Sequence, residues 1–125
     1  MANNSTLLDL FKRAIGQKLE EVSGLTNVFY EHSRMAAYPR ICYTATVWVT
    51  DSALHGTLSC TVAGNDTAAE VDNIASTLLR ELEGFSFCSD ELMYYLHSGR
   101  IDPNTETDKT VRERLVTFDF ITMGG

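Results

Sequence analysis

The chain has 125 residues and a mass of 13.9 kDa, with 44% hydrophobic and 22% charged residues. One domain of this size buries roughly two-thirds of its unfolded surface, so it needs no staples, and the balance excludes a disordered chain. Seventeen acidic residues against ten basic ones give a net charge of −7, which weighs against nucleic acid as a tightly held ligand, because phosphate neutralisation needs a basic surface.

Runs free of charge are broken by Asn, Thr, Gly and Ser, so neither a transmembrane helix nor a membrane partner is expected. Charges at Asp9, Lys12, Arg13, Lys18, Glu20 and Glu21 argue against a secretory h-region in residues 1–22. Cys42, Cys60 and Cys88 are odd in number and lack a C-x-x-C spacing, which points to a reducing compartment. Cys42 and Cys60 fall inside strands, where a free thiol acts as a small apolar group. A bridge between them needs a hairpin centred on Asp51. The turn is expected later, near Ala53, which would separate them by several residues.

Residues 1–4 read as a polar tail. Ser5 or Thr6 can cap a helix whose apolar stripe is Leu8, Phe11, Ile15, Leu19 and Val22, widened by Leu7 and Ala14. Gly16 weakens that helix and Gly24 stops it. Val28, Phe29 and Tyr30 form a short extended piece, and Pro39 disfavours helix at Tyr38. In Arg40 to Val49, Ile41, Tyr43, Ala45, Val47 and Val49 alternate with Cys42, Thr44, Thr46 and Trp48, which predicts a strand. His55 to Val62 returns beside it, with Leu58, Cys60 and Val62 opposite in direction to Thr57, Ser59 and Thr61.

Thr67 and Glu70 have the spacing of a capping box. The helix behind it carries Val71, Ile74, Ala75, Leu78, Leu79 and Leu82 on one face and closes at Gly84. Phe85 to Cys88 is expected as an apolar loop, Leu92 to Leu96 as a short strand apolar on both faces, and 98–110 as an exposed loop. Val111 to Thr122 is the last strand, with Val116, Phe118 and Phe120 on one face and Arg112 and Arg114 continuing it; residues 123–125 are a tail. The expected fold is one α+β domain over residues 1–125. A mostly antiparallel sheet is packed by two helices in the order α-β-β-β-α-β-β.

Chemistry is sparse. His32, His55 and His97 are scattered, with no second ligand at metal spacing. The glycines form no phosphate loop, no G-x-S-x-G elbow occurs, and Ser59-Cys60 lies mid-strand. Asp90 and Glu91 read as solvated carboxylates. No catalytic residue, metal or cofactor is expected. The apolar surplus is more informative. Two helices cover one face of a sheet, and Trp48, Met93 and Tyr95 would cluster on the other if their strands pair. They read either as scattered surface aromatics or as a subunit interface.

Several features together resemble the tail terminator proteins of long-tailed bacteriophages. They are the amphipathic helix Leu7 to Val22, the extended Val28-Phe29-Tyr30, and Tyr38-Pro39-Arg40-Ile41 leading into a strand. The strands Thr44 to Val49 and Leu58 to Val62 and the capped helix Thr67 to Leu82 follow. A polar loop around Asp102-Pro103-Asn104 precedes a strand with Arg112, Arg114 and Phe118. The resemblance spans nearly the whole chain and rests on element order and size. It implies a structural virion protein, made in the host cytoplasm and placed at the head-proximal end of the tail. Six copies would form a ring that stops tail-tube growth and meets the neck.

Its implied partners are further copies of itself, the tail tube protein and a neck or head-completion protein. DNA would pass through the lumen without specific binding. The resemblance implies Trp48, Met93 and Tyr95 at subunit contacts. It puts Arg100, Asp102, Glu106, Asp108 and Lys109, on the 98–110 loop, at the lumen or tube contact. That loop also reads as a plain exposed hairpin connection. A head-to-tail connector or tail-completion protein shares the pattern. A small cytosolic α+β binding module or regulator fits the composition, and an enzyme would require a deep pocket of perturbed ionisable groups.

Overall fold

A computed structural model describes residues 4–31, 37–50, 53–103 and 111–124. The elements are α1 (Asn4–Ser23), β1 (Val28–Tyr30), β2 (Arg40–Thr50), β3 (Ala53–Gly64), α2 (Ala68–Leu82), β4 (Ser86–Cys88), β5 (Leu92–Pro103) and β6 (Arg112–Gly124). The α+β class holds, with two helices and a six-stranded sheet ordered β1-β2-β3-β6-β5-β4. The sheet is mixed. β1 runs parallel to β2, and the other neighbours are antiparallel.

Both helices bury their apolar stripes against one face of the sheet. Leu7, Phe11, Ile15 and Leu19 of α1 join Val71, Ala75, Leu78 and Leu82 of α2 in a single core. From the sheet come Ile41, Tyr43, Leu58, Cys60, Val62, Tyr94, Leu96, Val116, Phe118 and Phe120. Phe11 anchors α1: its ring stacks on Phe120 at 4.2 Å between centroids and meets Tyr94 edge-on at 5.4 Å. Each such side chain contributes about 1.5–3 kcal/mol through burial.

Local chemistry fixes the ends of α2 as expected, whereas α1 starts at Asn4, so Ser5 and Thr6 lie inside that helix and do not cap it, and Asn4 is not part of a tail. The Thr67 hydroxyl accepts the Glu70 amide at 3.2 Å, and Gly84, at φ 75°, ends α2 after the Glu83 amide reaches the Leu79 carbonyl. Gly16 has a role that helix propensity does not reveal. A Cβ there would collide with the Tyr43 hydroxyl, which donates to the Lys12 carbonyl at 2.9 Å. The glycine lets β2 press a buried tyrosine into α1.

Four further expectations are corrected. Phe85 to Cys88 is not simply a loop: Ser86–Cys88 forms β4, an extra edge strand paired with Met93–Tyr95, so the element order becomes α-β-β-β-α-β-β-β. The β2–β3 hairpin pairs Thr50 with Ala53, so its register centres between residues 51 and 52 and not near Ala53. Cys42 therefore sits opposite Thr61 and Cys60 opposite Tyr43, one position out of register and on opposite faces. Residues 98–103 belong to β5, not to a loop, and Met123 and Gly124 belong to β6, opposite Met93 and Leu92.

The extension of β5 passes through an irregularity between His97 and Arg100. Ser98 takes φ 55°, and the Ser98 and Gly99 amides donate to the two Glu83 carboxylate oxygens at 3.1 and 2.7 Å. Polar residues in 98–103 suggested a loop. Glu83, just past α2, holds the bulge that lets the strand continue.

Candidate functional site

Among the described residues the face of the sheet turned away from the helices is bare, and its two ends differ. At one end Thr44, Thr46, Thr57, Ser59, Thr61 and Asp119 make it polar. At the other end the register aligns Trp48, His55, Ile121, Tyr95 and Ser86 in one row across five strands. Met123, Met93 and Cys88 form the next row on β6, β5 and β4. Neither row contains Asp, Glu, Lys or Arg.

Trp48, Tyr95, Met93 and Met123 are 52%, 43%, 40% and 37% exposed, large values for such apolar side chains. Met93, Tyr95, Ile121, Met123 and Cys88 line a shallow concavity of about 180 Å³. Tyr95 stacks on His97 at 5.4 Å. Alternation along β5 explains the arrangement, since Leu92, Tyr94 and Leu96 point into the core and Met93 and Tyr95 point out.

Trp48 shares the face and the row but not the cluster. β3 and β6 lie between β2 and β5, so Trp48 stands three strands from Tyr95, roughly 14 Å at the usual strand spacing. The direct pairing of their strands, on which clustering depended, does not occur. Ile121, Met123, Cys88 and His55 complete the patch and were missed. Continuing the alternation of Val116, Phe118 and Phe120 to the chain's end would have placed Ile121 and Met123 on it.

Of the residues expected on the polar loop, Arg100 and Asp102 lie on β5, opposite Thr117 and Leu115. They form an exposed ion pair at 3.0 Å. Glu106, Asp108 and Lys109 fall outside the described residues. Arg114, at the polar end of β6, reaches Asp72 of α2 at 2.7 Å.

A second open concavity, about 360 Å³, lies at the polar end beside Glu31, Arg40, Cys42, Thr44, Thr61 and Glu113. Its charges are of both signs. His55 and His97 sit on the bare face, and His32 is outside the described residues. Among the described residues no three His, Cys, Asp or Glu side chains converge as metal ligands. The perturbed ionisable groups belong to the core: burial pushes the Cys60 thiol up to about 12 and raises the Tyr43 and Tyr94 hydroxyls. All three side chains pack in the core cluster.

No family model matches the chain, and no curated protein matches it. Solved structures that share its fold include two that cover most of the chain. One, which carries no functional description, superposes with a TM-score of 0.72 at 9% identity over 98% of this chain and 97% of its own. The other is a chain from the virion of a native gene transfer agent particle. Its TM-score is 0.52 at 14% identity, covering 86% of this chain and 84% of that one. At such identities the likeness establishes the α+β fold and its near-complete extent.

Proposed function

We propose that the chain is a structural protein of a phage-type virion, and specifically a tail terminator. The observation that carries the reading is the fold shared over 86% of this chain with a chain from a virion particle. The order of elements agrees with it, from the N-terminal amphipathic helix to the last strand. An uncharged apolar end on a sheet face without helices suits a subunit built for assembly.

In this reading copies join head to tail, and rotation closes six of them into a ring. The ring caps the head-proximal end of the tail tube, blocks further addition of tube protein and presents its other side to the neck. Trp48, Met93 and Tyr95 contribute to subunit contacts. Arg100, Asp102, Glu106, Asp108 and Lys109 face the lumen or the tube. A net charge of −7 lets DNA pass without adhering, since like charges repel.

The test is tube growth. Purified tail tube protein is polymerised with and without this chain, and lengths and tube ends are imaged. Arrested growth with a ring at one end supports the reading. Unchanged growth with binding to neck proteins instead would reassign the chain to a head-to-tail connector. Unchanged growth without such binding removes it from the head–tail junction.

A further inference from the structure

The sheet has two stepped edges, and the steps are complementary. At one edge β1 covers β2 only along Ile41–Tyr43. Among the described residues, no strand pairs with that side of β2 from Thr44 to Thr50. The hydrogen bonds there set the parity. The Ile41 amide donates to Asn27 and the Tyr43 carbonyl accepts from Glu31, so odd-numbered backbone groups face this edge. The amides and carbonyls of Ala45, Val47 and Val49 therefore point outward without a strand partner among the described residues. The sequence Thr-Ala-Thr-Val-Trp-Val-Thr has no charge, proline or glycine. Edge strands usually carry such features to prevent pairing with another chain.

The opposite edge has the reverse profile. β4 covers β5 only along Met93–Tyr95. Beyond the bulge, Arg100–Pro103 has no outer strand neighbour among the described residues. Following the register across the sheet places β4 level with residues 48–50 of β2, through His55, Ile121 and Tyr95. It places β1 level with residues 101–103 of β5, through Cys60 and Val116. Among the described residues, one edge protrudes where the other is recessed, each by one strand.

We propose that successive copies of this chain interlock through these edges. β4 of one copy fills the recess beside residues 48–50 of the next copy's β2. That second copy's β1 lies beside Ile101–Pro103 of the first. The pairings give β4 parallel to β2 and β1 antiparallel to β5, with β1 and β4 sharing one column without overlap. Because the joint uses opposite edges it is heterologous, and it continues until rotation closes it. It also brings Trp48 beside Ser86 of the neighbouring copy and within two strands, roughly 10 Å, of that copy's Tyr95. The tryptophan and the β5 patch, separate in one subunit, become one surface across the joint. The inference rests on this sheet's own edges and does not need the terminator reading.

The test is disulfide trapping of the full chain, with Cys42→Ser and Cys88→Ser removing the accessible thiols. Trp48→Cys and Ser86→Cys are introduced singly and together, both at exposed positions. Under mild oxidation the double variant is expected to give a ladder from dimer upward, while each single variant stays monomeric. Adding Val49→Pro, which removes the outward amide level with β4 but no β3 bond, is expected to reduce the ladder at least tenfold. A monomeric double variant overturns the proposal. So do dimers from Trp48→Cys alone, which would mean β2 pairs with β2 across a two-fold axis. A ladder undiminished by Val49→Pro removes the strand pairing. Trapped copies that leave tube growth unchanged would remove the terminator reading and leave the joint standing.

Discussion

Tyr94 and Tyr95 are neighbours in sequence with opposite surroundings, and they separate folding from assembly. Tyr94 is 3% exposed, stacked on Phe87 at 5.2 Å and edge-on to Phe11 at 5.4 Å. Truncating it to Ala removes a large core side chain, at a cost of about 3–5 kcal/mol. That is a large share of the roughly 5–15 kcal/mol that holds a domain folded. Tyr95 and Trp48 are about half exposed on the bare face. Their truncation is expected to change monomer stability by no more than about 1 kcal/mol. If they form the centre of a subunit contact, each truncation costs association about 2 kcal/mol or more. That corresponds to roughly a 30-fold weaker contact. Thermal melts followed by circular dichroism measure the first quantity and sedimentation velocity the second. The expected pattern is a melting point lowered by roughly 10 °C or more for Tyr94→Ala. Trp48→Ala and Tyr95→Ala should melt near wild type and dissociate. Loss of the cooperative melt in Trp48→Ala or Tyr95→Ala would place these residues in the core and refute the argument. Unchanged association would refute it as well.

Further expectations follow from the packing. Tyr43→Phe loses the hydroxyl's bond to Lys12 and should cost about 1 kcal/mol in urea unfolding; Gly16→Leu, which drives a side chain into Tyr43, should cost more. The Cys60 thiol stays neutral in the fold up to about pH 12 but ionises near 9.0 once unfolded. Stability is therefore unaffected by this group below pH 9 and falls by about 1 kcal/mol per pH unit above it, as measured by denaturant titrations between pH 8 and 11. Over the same range a thiol reagent should label exposed Cys88 first and Cys60 only on unfolding. Glu83→Ala removes the acceptor for the Ser98 and Gly99 amides, so hydrogen exchange at those two amides should accelerate while Leu96 keeps its protection.

The sequence made the helices and the core strands readable because their signals are local. Thr67 and Glu70 mark a start, Gly24 and Gly84 mark stops, and alternation in β2 and β3 separates Tyr43 from Trp48. Features set by distant partners were less readable. Residues 98–103 look like a loop until Glu83 is seen holding their bulge. Ser86–Cys88 is too short to register as a strand without β5 beside it. Gly16 looks like a weak point in a helix until Tyr43 arrives from 27 residues downstream to fill the space. The exposed residues Trp48, Met93 and Tyr95 could be picked out by alternation alone. Their separation into a lone tryptophan and a β5–β6 cluster depended on strand order, which no local pattern encodes.

The proposed assembly is a closed ring built from heterologous contacts. Native mass spectra across a concentration series test it most directly. A closed species at six times the 13.9 kDa subunit mass is expected, with Trp48→Ala shifting the population toward monomer. A dimer that is the terminal species at every concentration would contradict it, because a two-fold contact uses up the surface that a ring must leave open.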